Sequence, residues 1–468
     1  MRRWQNLAAP DDPGSWHDCD NFYPTTYGTY EIVPPTTNTD STAYTGAGNV
    51  RYAFAAATLS TTVTWIVDSS KIWLKPEIDR TNSVTIGNEP MMAQYGNITV
   101  CVMGAANPTV VSTSGGNFAA LAGAPQGEIV VVCSNAVMVL NTNASVDGWH
   151  VSDVGDYTNW TTGESASGRL ISTPGPIVSA VVFADSVIVF KTSGVYRIRY
   201  VGGAVKWAVE LLHISHGITG SGGYTLGIGL KYCACASPTH VFFLSPGEPR
   251  GSTWAAYMMD GAAQFVRVNP LTTIDNTAPY FVRYVKDLDL FCLVGYGVTK
   301  AYFYCVSSNA WGRLSTSYDA NKAVRPLMGE EPGTSNNNRL PMGFGYYKPA
   351  ANTISEYAYA AASYSASSGY LETKKAGTPN RKTKFLRVIP LLRKRTDHGT
   401  DSAALSATFY REREDTSAQR TEAVTESTQR KRFDFSVTDN FMQARVTWAA
   451  LEVEVDDFLI DSADAGRD

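Results

Sequence analysis

A chain of 468 residues exceeds what one hydrophobic core usually spans, so the sequence implies several domains or a repeated architecture. Charged residues make up only 18%, while Tyr and Trp number 25 and 10, a balance that suits strands and interfaces better than helices. The formal charge of −4 excludes a global attraction for nucleic acid, and no run nears the roughly 18 apolar residues of a spanning helix, so no direct membrane insertion is expected.

The chain opens with MRRWQNLAAPDDPGSWHD, which passes at once to polar residues and prolines. No signal peptide is expected, and residues 1–37 read as an N-terminal extended arm with turns at its prolines. Strand-like phrases then recur. TVTWIVDSSKIWLKPE begins at Thr62, GEIVVVCSNAVMVLNTN at Gly127, VVFADSVIVFKTSGVYRI at Val181 and THVFFLSPGEPRG at Thr239. LDLFCLVGYGVTKAYFYCVSSNAWGRL follows from Leu288 and MGFGYYKPAANTISEYA from Met342. Successive starts lie 65, 54, 58, 49 and 54 residues apart, near the roughly 50 residues of a kelch-type propeller blade. A shorter phrase, NITVCVMGAANPTVV from Asn97, falls between the first two.

Within these phrases the side chains alternate with the period of two that a pleated strand imposes. Tyr196, Ile198 and Tyr200 share one face, Arg197 and Arg199 the other, so one face should meet a core and one water. The expectation is an all-β chain in which residues 38–370 form a β-propeller of about six blades. Stacked β-sandwiches are the rival, because both architectures place turns every ~8–12 residues.

Composition shifts over AAASYSASSGYLETKKAGTPNRKTK, residues 360–384, which is small, polar and basic; an inter-domain linker is expected at 371–384. Beyond it lie five strand-like runs, from KFLRVIPLL to LEVEVDDFLI, in the last of which Leu451, Val453 and Val455 alternate with Glu452, Glu454 and Asp456. Residues 385–468 therefore read as a C-terminal antiparallel β domain.

Reactive constellations are sparse. No GxGxxG opens a helix after a strand, no phosphate-binding GxxxxGK[ST] occurs, and there is no GxSxG elbow. His213 and His216 in HISHG have a spacing that brings two imidazoles together on a helix, yet their surroundings read as strand and turn, and no third zinc ligand is visible. Cys233 and Cys235 share a strand face and read as paired core thiols. The seven cysteines, Cys19, Cys101, Cys133, Cys233, Cys235, Cys292 and Cys305, lie mostly in apolar runs and read as reduced, buried thiols.

Three acids, Asp153, Asp156 and Asp185, read as turn formers that bond backbone N–H groups. GWHVSDVGDYTNW, residues 148–160, resembles the Asp-box turn of sialidase propellers, a structural hairpin, though Ser152 and Asp153 are adjacent where that turn separates them. The positive runs RKTKFLRVIPLLRKR (381–395) and QRKR (429–432) are interleaved with acids and read as a solvated strand face or a subunit seam. No catalytic, cofactor-binding or metal-ligating residue is selected, and no cofactor is expected.

The arm with WHDCDNFYP, the segment GWHVSDVGDYTNW, the hairpin VVFADSVIVFKTSGVYRI and the run ELLHISHGITGSGGYTLGIGLKYCACASPTHVFFLSPGEPRG together resemble tail-hub or nozzle proteins of short-tailed bacteriophages, also called packaged-DNA stabilisation proteins. KRFDFSVTDNFMQARVTW resembles the strand pattern that closes those chains. The resemblance implies a structural, non-enzymatic virion protein made in the bacterial cytoplasm and located in the tail. It implies a homo-oligomeric, hexameric propeller ring below the portal and head-to-tail adaptor. That ring would hold tail spikes or fibres and a plug or needle, and genomic DNA would pass through its lumen at ejection without sequence-specific binding. The alternatives are a propeller glycosidase or sialidase, and a carbohydrate-binding propeller.

Overall fold

The structure, a computed structural model, describes residues 16–20, 22–26, 30–32, 36–40, 48–57, 62–87, 90–218, 230–246, 253–268, 274–275, 280–295 and 301–314, and beyond these the strands at 327–329, 345–347, 355–359, 368–373, 376–377, 383–394, 403–410, 420–426, 433–439, 441–449 and 453–464. Six consecutive four-stranded antiparallel meanders occupy residues 50–314 and form a six-bladed β-propeller. The first strand of each blade is innermost: Val50–Ala57, Met91–Tyr95, Gly127–Cys133, Ile177–Phe183, Ala234–Ala236 and Tyr280–Val285. Consecutive members of this set pack on one another from Val50–Ala57 through to Tyr280–Val285.

Sequence explains the blades locally. In blade 3, Ser134 and Asn135 both adopt left-handed backbone (φ 50° and 56°), the two-residue turn whose twist matches a hairpin. Ala136 then pairs with Cys133 and Met138 with Val131. The two faces of each sheet pack on different neighbours. Ile129, Met138 and Trp149 meet Val187, Tyr196 and Trp207 of blade 4, while Val130, Val137 and Val139 meet Val100 and Val102 of blade 2. Strands buried on both faces read as continuous apolar runs, which is why GEIVVVC and AVMVL lack alternation. The outer half of blade 4 alternates as expected: Tyr196 and Ile198 are buried, Arg197 is half-buried and Arg199 exposed.

The blade count agrees with the sequence reading, but the membership differs. The inner strands start at Val50, Met91, Gly127, Ile177, Ala234 and Tyr280, so successive spacings are 41, 36, 50, 57 and 46 residues. The phrase from Asn97 belongs to a complete blade of its own. The phrase from Met342 forms none; its strands Gly345–Tyr347 and Ser355–Tyr359 join Thr36–Asp40 in a three-stranded sheet. The phrases marked the most apolar hairpin of each blade, and that hairpin is not always in the same place within the meander.

Closure of the ring uses both flanking segments. Phe22–Pro24, which precede blade 1, add to the outer strand of blade 6, with Phe22 opposite Arg313. Leu327–Gly329, which follow blade 6, pair in parallel with the inner strand of blade 1. The Tyr30 hydroxyl donates to the Trp311 carbonyl at 3.2 Å, and a Cβ at Gly312 would meet the Phe22 carbonyl oxygen at 2.3 Å, so the arm lies directly on the blade.

Blade 6 continues through Phe22–Pro24 and Tyr30–Ile32 into Val453–Asp464, Thr383–Lys394 and Phe433–Asp439, one sheet of nine strands. A second sheet joins Trp16–Asp20 to Ser368–Thr373, Phe441–Ala449, Ala403–Tyr410 and Arg420–Glu426. Residues 371–384 include the end of Ser368–Thr373, the pair Ala376–Gly377 and the start of Thr383–Lys394. The alternation expected at 451–456 falls on side chains outside the described residues.

Candidate interface at the propeller axis

A three-residue 3-10 turn, Leu230–Tyr232, sits where the inner strands converge, and all three residues are buried. It touches every blade. Tyr232 stacks on Tyr52 of blade 1 at 5.4 Å and on Phe281 of blade 6 at 4.7 Å, and its hydroxyl donates to the Pro90 carbonyl at the start of blade 2. The Lys231 ammonium donates to the Glu128 carbonyl of blade 3 at 3.1 Å and lies 3.4 Å from that residue's carboxylate. Ser179 of blade 4 donates its hydroxyl to the Lys231 carbonyl at 2.8 Å, and the Cys233 N–H, leading into blade 5, bonds back to Leu230 at 3.1 Å. Together with Leu327–Gly329 on the axial side of Val50–Ala57, this turn fills the axis.

A cavity of about 710 Å³ opens on the face where the inner strands begin. Gly87, Asn107, Glu128, Val146, Ile177 and Lys231 are among its lining residues, contributed by blades 2, 3 and 4 and by the axial turn. The Glu128 carboxylate accepts the Ala105 N–H at 2.9 Å, so the charged pair at the floor is largely engaged within the protein. Val146 at the rim is 56% exposed. Such a recess, mostly apolar over a neutralised ion pair, suits a projecting side chain of a docking partner.

Residues singled out in the sequence take structural places. The Asp153 carboxylate accepts the Glu164 N–H at 2.7 Å and the Asn159 amide at 3.2 Å, and Asp156 accepts the Thr158 N–H at 2.9 Å and its hydroxyl at 2.6 Å. These last two bonds hold the Asp156 carboxyl below its ordinary range. Asp185 is exposed in the two-residue turn after Ala184, whose φ is 53°. His213 and His216 do come together, in a turn and not on a helix: their rings stack at 4.0 Å and 17°. The fold of the turn achieves this by bonding the Ser215 and His216 N–H groups to His213 Nδ1 at 3.1 and 3.2 Å. Parallel rings do not converge their lone pairs on one ion, and among the described residues no group of three or more His, Cys, Asp or Glu side chains is placed to hold a metal.

Cys101, Cys133, Cys233, Cys292 and Cys305 are buried cysteines outside any disulfide, and Cys235 is half-buried. Burial pushes the Cys235 thiol up to about 11 and raises Cys101, Cys133 and Cys305 as well, so these four are protonated and poor nucleophiles at neutral pH. The side chain of Cys19 lies outside the described residues, as do residues 381–382, 395 and 429–432. Within Thr383–Lys394 the register sets Arg387 opposite Asp461 and Asp434, and Arg393 opposite Glu454.

Sequence reasoning passed over Asp68, Lys231 and Tyr232. Asp68 is fully buried and accepts from the Lys71 N–H at 2.7 Å and the Trp73 indole N–H at 2.7 Å, closing a hairpin in the manner looked for at Asp153. The DSSKIW spacing carried that signal. Nothing in LKY does, because its partners come from five other blades.

No family model matches the chain, and no curated protein matches it. Among solved structures it is similar to the WD40 domain of Toxoplasma gondii coronin, at 10% identity and TM-score 0.43, covering 70% of this chain and 87% of that one. It is similar to PorZ, a bacterial surface component of the type-IX secretion system of Porphyromonas gingivalis, at 10% identity and TM-score 0.39, over 85% of this chain and 48% of that one. It is also similar to an exo-β-1,3-galactanase of Phanerochaete chrysosporium, at 9% identity and TM-score 0.30, over 92% and 100% of the two chains. The six-bladed assignment rests on the strand order described above.

Proposed function

We propose that the chain is a structural virion protein of a short-tailed phage, a subunit of the nozzle or hub ring at the distal end of the tail. In this reading it acts without catalysis, docks beneath the head-to-tail adaptor, and holds spikes or fibres and a plug or needle. The observation that carries the reading is the axis. A turn tied to all six blades, with a strand laid beside it, makes the propeller a solid, rigid block. Polar groups that serve chemistry elsewhere close turns and seams here, as at Asp68, Asp153 and Lys231. A filled axis also means that DNA, a duplex about 20 Å across, would run through a lumen formed between copies and not through any one propeller.

The test is a cryo-electron reconstruction of purified particles from the source, with peptide mass spectrometry to establish that this chain is present. The expected result is a ring of propellers at the distal channel. Absence of the chain from particles, together with turnover of a polysaccharide by the purified protein, would replace this reading with a propeller glycosidase.

A further inference from the structure

In an antiparallel meander the turns after the first and third strands emerge on the same side, so one face of the propeller collects them from every blade. On that face blades 2 and 3 bring three aromatic rings together. Tyr95 ends the inner strand of blade 2, and Tyr157 and Trp160 belong to the loop between the third and fourth strands of blade 3. The Tyr95 and Tyr157 rings lie 5.5 Å apart at 50°, and Trp160 packs on the same apolar cluster, all three half-exposed. Asp156, fully open to water, stands beside Tyr95.

The loop that carries them is closed on itself. The Asp153 N–H bonds the Asn159 carbonyl at 2.7 Å, the Thr162 N–H bonds the Asn159 side chain at 3.1 Å, and the Gly155 N–H anchors the loop to the Asn135 carbonyl of the neighbouring hairpin at 2.8 Å. Gly155 and Gly163 supply the left-handed backbone at its two ends (φ 86° and 64°). The rings are thus presented in fixed positions, which lowers the ordering cost of binding. The same face continues to blade 4, where Tyr200 packs on Trp207 at 5.3 Å.

We propose that this face carries a binding site for a neutral polysaccharide, with Tyr95, Tyr157 and Trp160 stacking on the apolar faces of sugar rings and Asp156 accepting hydroxyl hydrogens. Two features choose the ligand class. Half-exposed Tyr and Trp offer a flat apolar surface with a polar rim, which matches a pyranose ring carrying C–H groups on one side and hydroxyls at its edge. The nearby charges, Asp153, Asp156, Glu164 and Asp185, are opposed by Lys206, whose ammonium is already committed to the Gly163 and Ser165 carbonyls. A net negative surface repels polyanions such as nucleic acid or acidic polysaccharide and leaves a neutral chain unaffected.

The site occurs at one blade junction and needs no repetition of blades, and it stands whether or not the chain belongs to a virion. The experiment uses the purified full chain against an array of neutral oligosaccharides, with dextran and mannan in solution and hyaluronate as the anionic control, read by tryptophan fluorescence and calorimetry. The expected result is binding of at least one neutral glycan, weakened about tenfold or more by Tyr157→Ala and by Tyr95→Ala, and nearly unchanged by Tyr157→Phe. Trp160→Ala is the third variant, with thermal unfolding as the control for folding. Four results would overturn the proposal: no neutral glycan binds, hyaluronate binds as well, Tyr157→Ala leaves affinity unchanged, or footprinting finds Tyr157 covered by a second copy or another protein.

Discussion

At the scale of single residues, Tyr232 has the largest predicted effect. Its ring is buried between blades 1 and 6 and its hydroxyl reaches blade 2, so Tyr232→Ala removes contacts with three blades at once. The expected loss is about 3–5 kcal/mol, as for other large core truncations. Tyr232→Phe keeps both stacks and should cost only about 0.5–1.5 kcal/mol, the net worth of one hydrogen bond. Urea unfolding of the two variants checks both values. Asp68→Ala, which leaves the Trp73 indole and two turn N–H groups without their acceptor, should cost about 1.5–3 kcal/mol by the same measurement.

Protonation adds a second residue-scale test. Burial holds the His150 imidazole below its ordinary value. The unfolded chain therefore takes up that proton first: stability is unaffected above about pH 6.5 and declines as pH falls below it. Asp147 works over a lower window, because the Arg169 guanidinium at 2.8 Å holds its carboxyl down. Its contribution is present above the ordinary carboxylate value and is lost as pH falls through the lowered one. His150→Gln should flatten the stability profile just below about pH 6.5 without changing its fall in the carboxylate range.

At the scale of elements, the seam between blade 6 and the N-terminal arm is open to a small change. Gly312→Ala would drive a Cβ into the Phe22 carbonyl, and backbone cannot yield as a side-chain tip does. The arm should lift from Ala310–Leu314 while the six blades stay folded. Hydrogen exchange should then rise in Phe22–Pro24 and Ala310–Leu314 and stay unchanged in blades 2–4; uniform exchange everywhere would count against this account of the seam. Much of the element scale was legible in the sequence. Alternation marks Val195–Gly202, and the turn former Asp185 marks the hairpin at Ala184–Asp185. Blade 2 shows in the sequence only as a shorter phrase because its inner strand, MMAQY, offers no β-branched residue, and the Met342 phrase has the form of a blade because a hairpin looks the same wherever it docks. The stacking of His213 on His216 was missed because it comes from a turn closing on a ring nitrogen, a contact with no periodic signature.

For the whole molecule, the class of fold followed from short strands at regular spacing, whereas what holds the ring together did not. The contacts of Leu230–Tyr232 span 180 residues in sequence at their longest, from Tyr52 to Tyr232, and no local pattern encodes them. Within the virion reading the filled axis makes a prediction of its own. A photo-crosslinking residue placed at Val146, 56% exposed at the rim of the cavity, should give protein adducts and no DNA adducts in filled particles. DNA adducts there would mean that the conduit runs through the propeller after all.

The reciprocal lacing of the ring also sets a schedule for its synthesis. The inner strand of blade 1 leaves the ribosome early, but its axial partner, Leu327–Gly329, emerges only after some 270 further residues, counted from Ala57 to Leu327. At translation rates of about 5–20 residues per second, that is a delay of roughly 14–54 s. Throughout that interval a growing arc of stacked blades carries an uncovered strand at its leading end, while the arm that will cap blade 6 waits for blade 6 to exist. A chain of this design is most exposed to mispairing with a neighbour on the same polysome, and its yield should depend on how quickly ribosomes follow one another along the message.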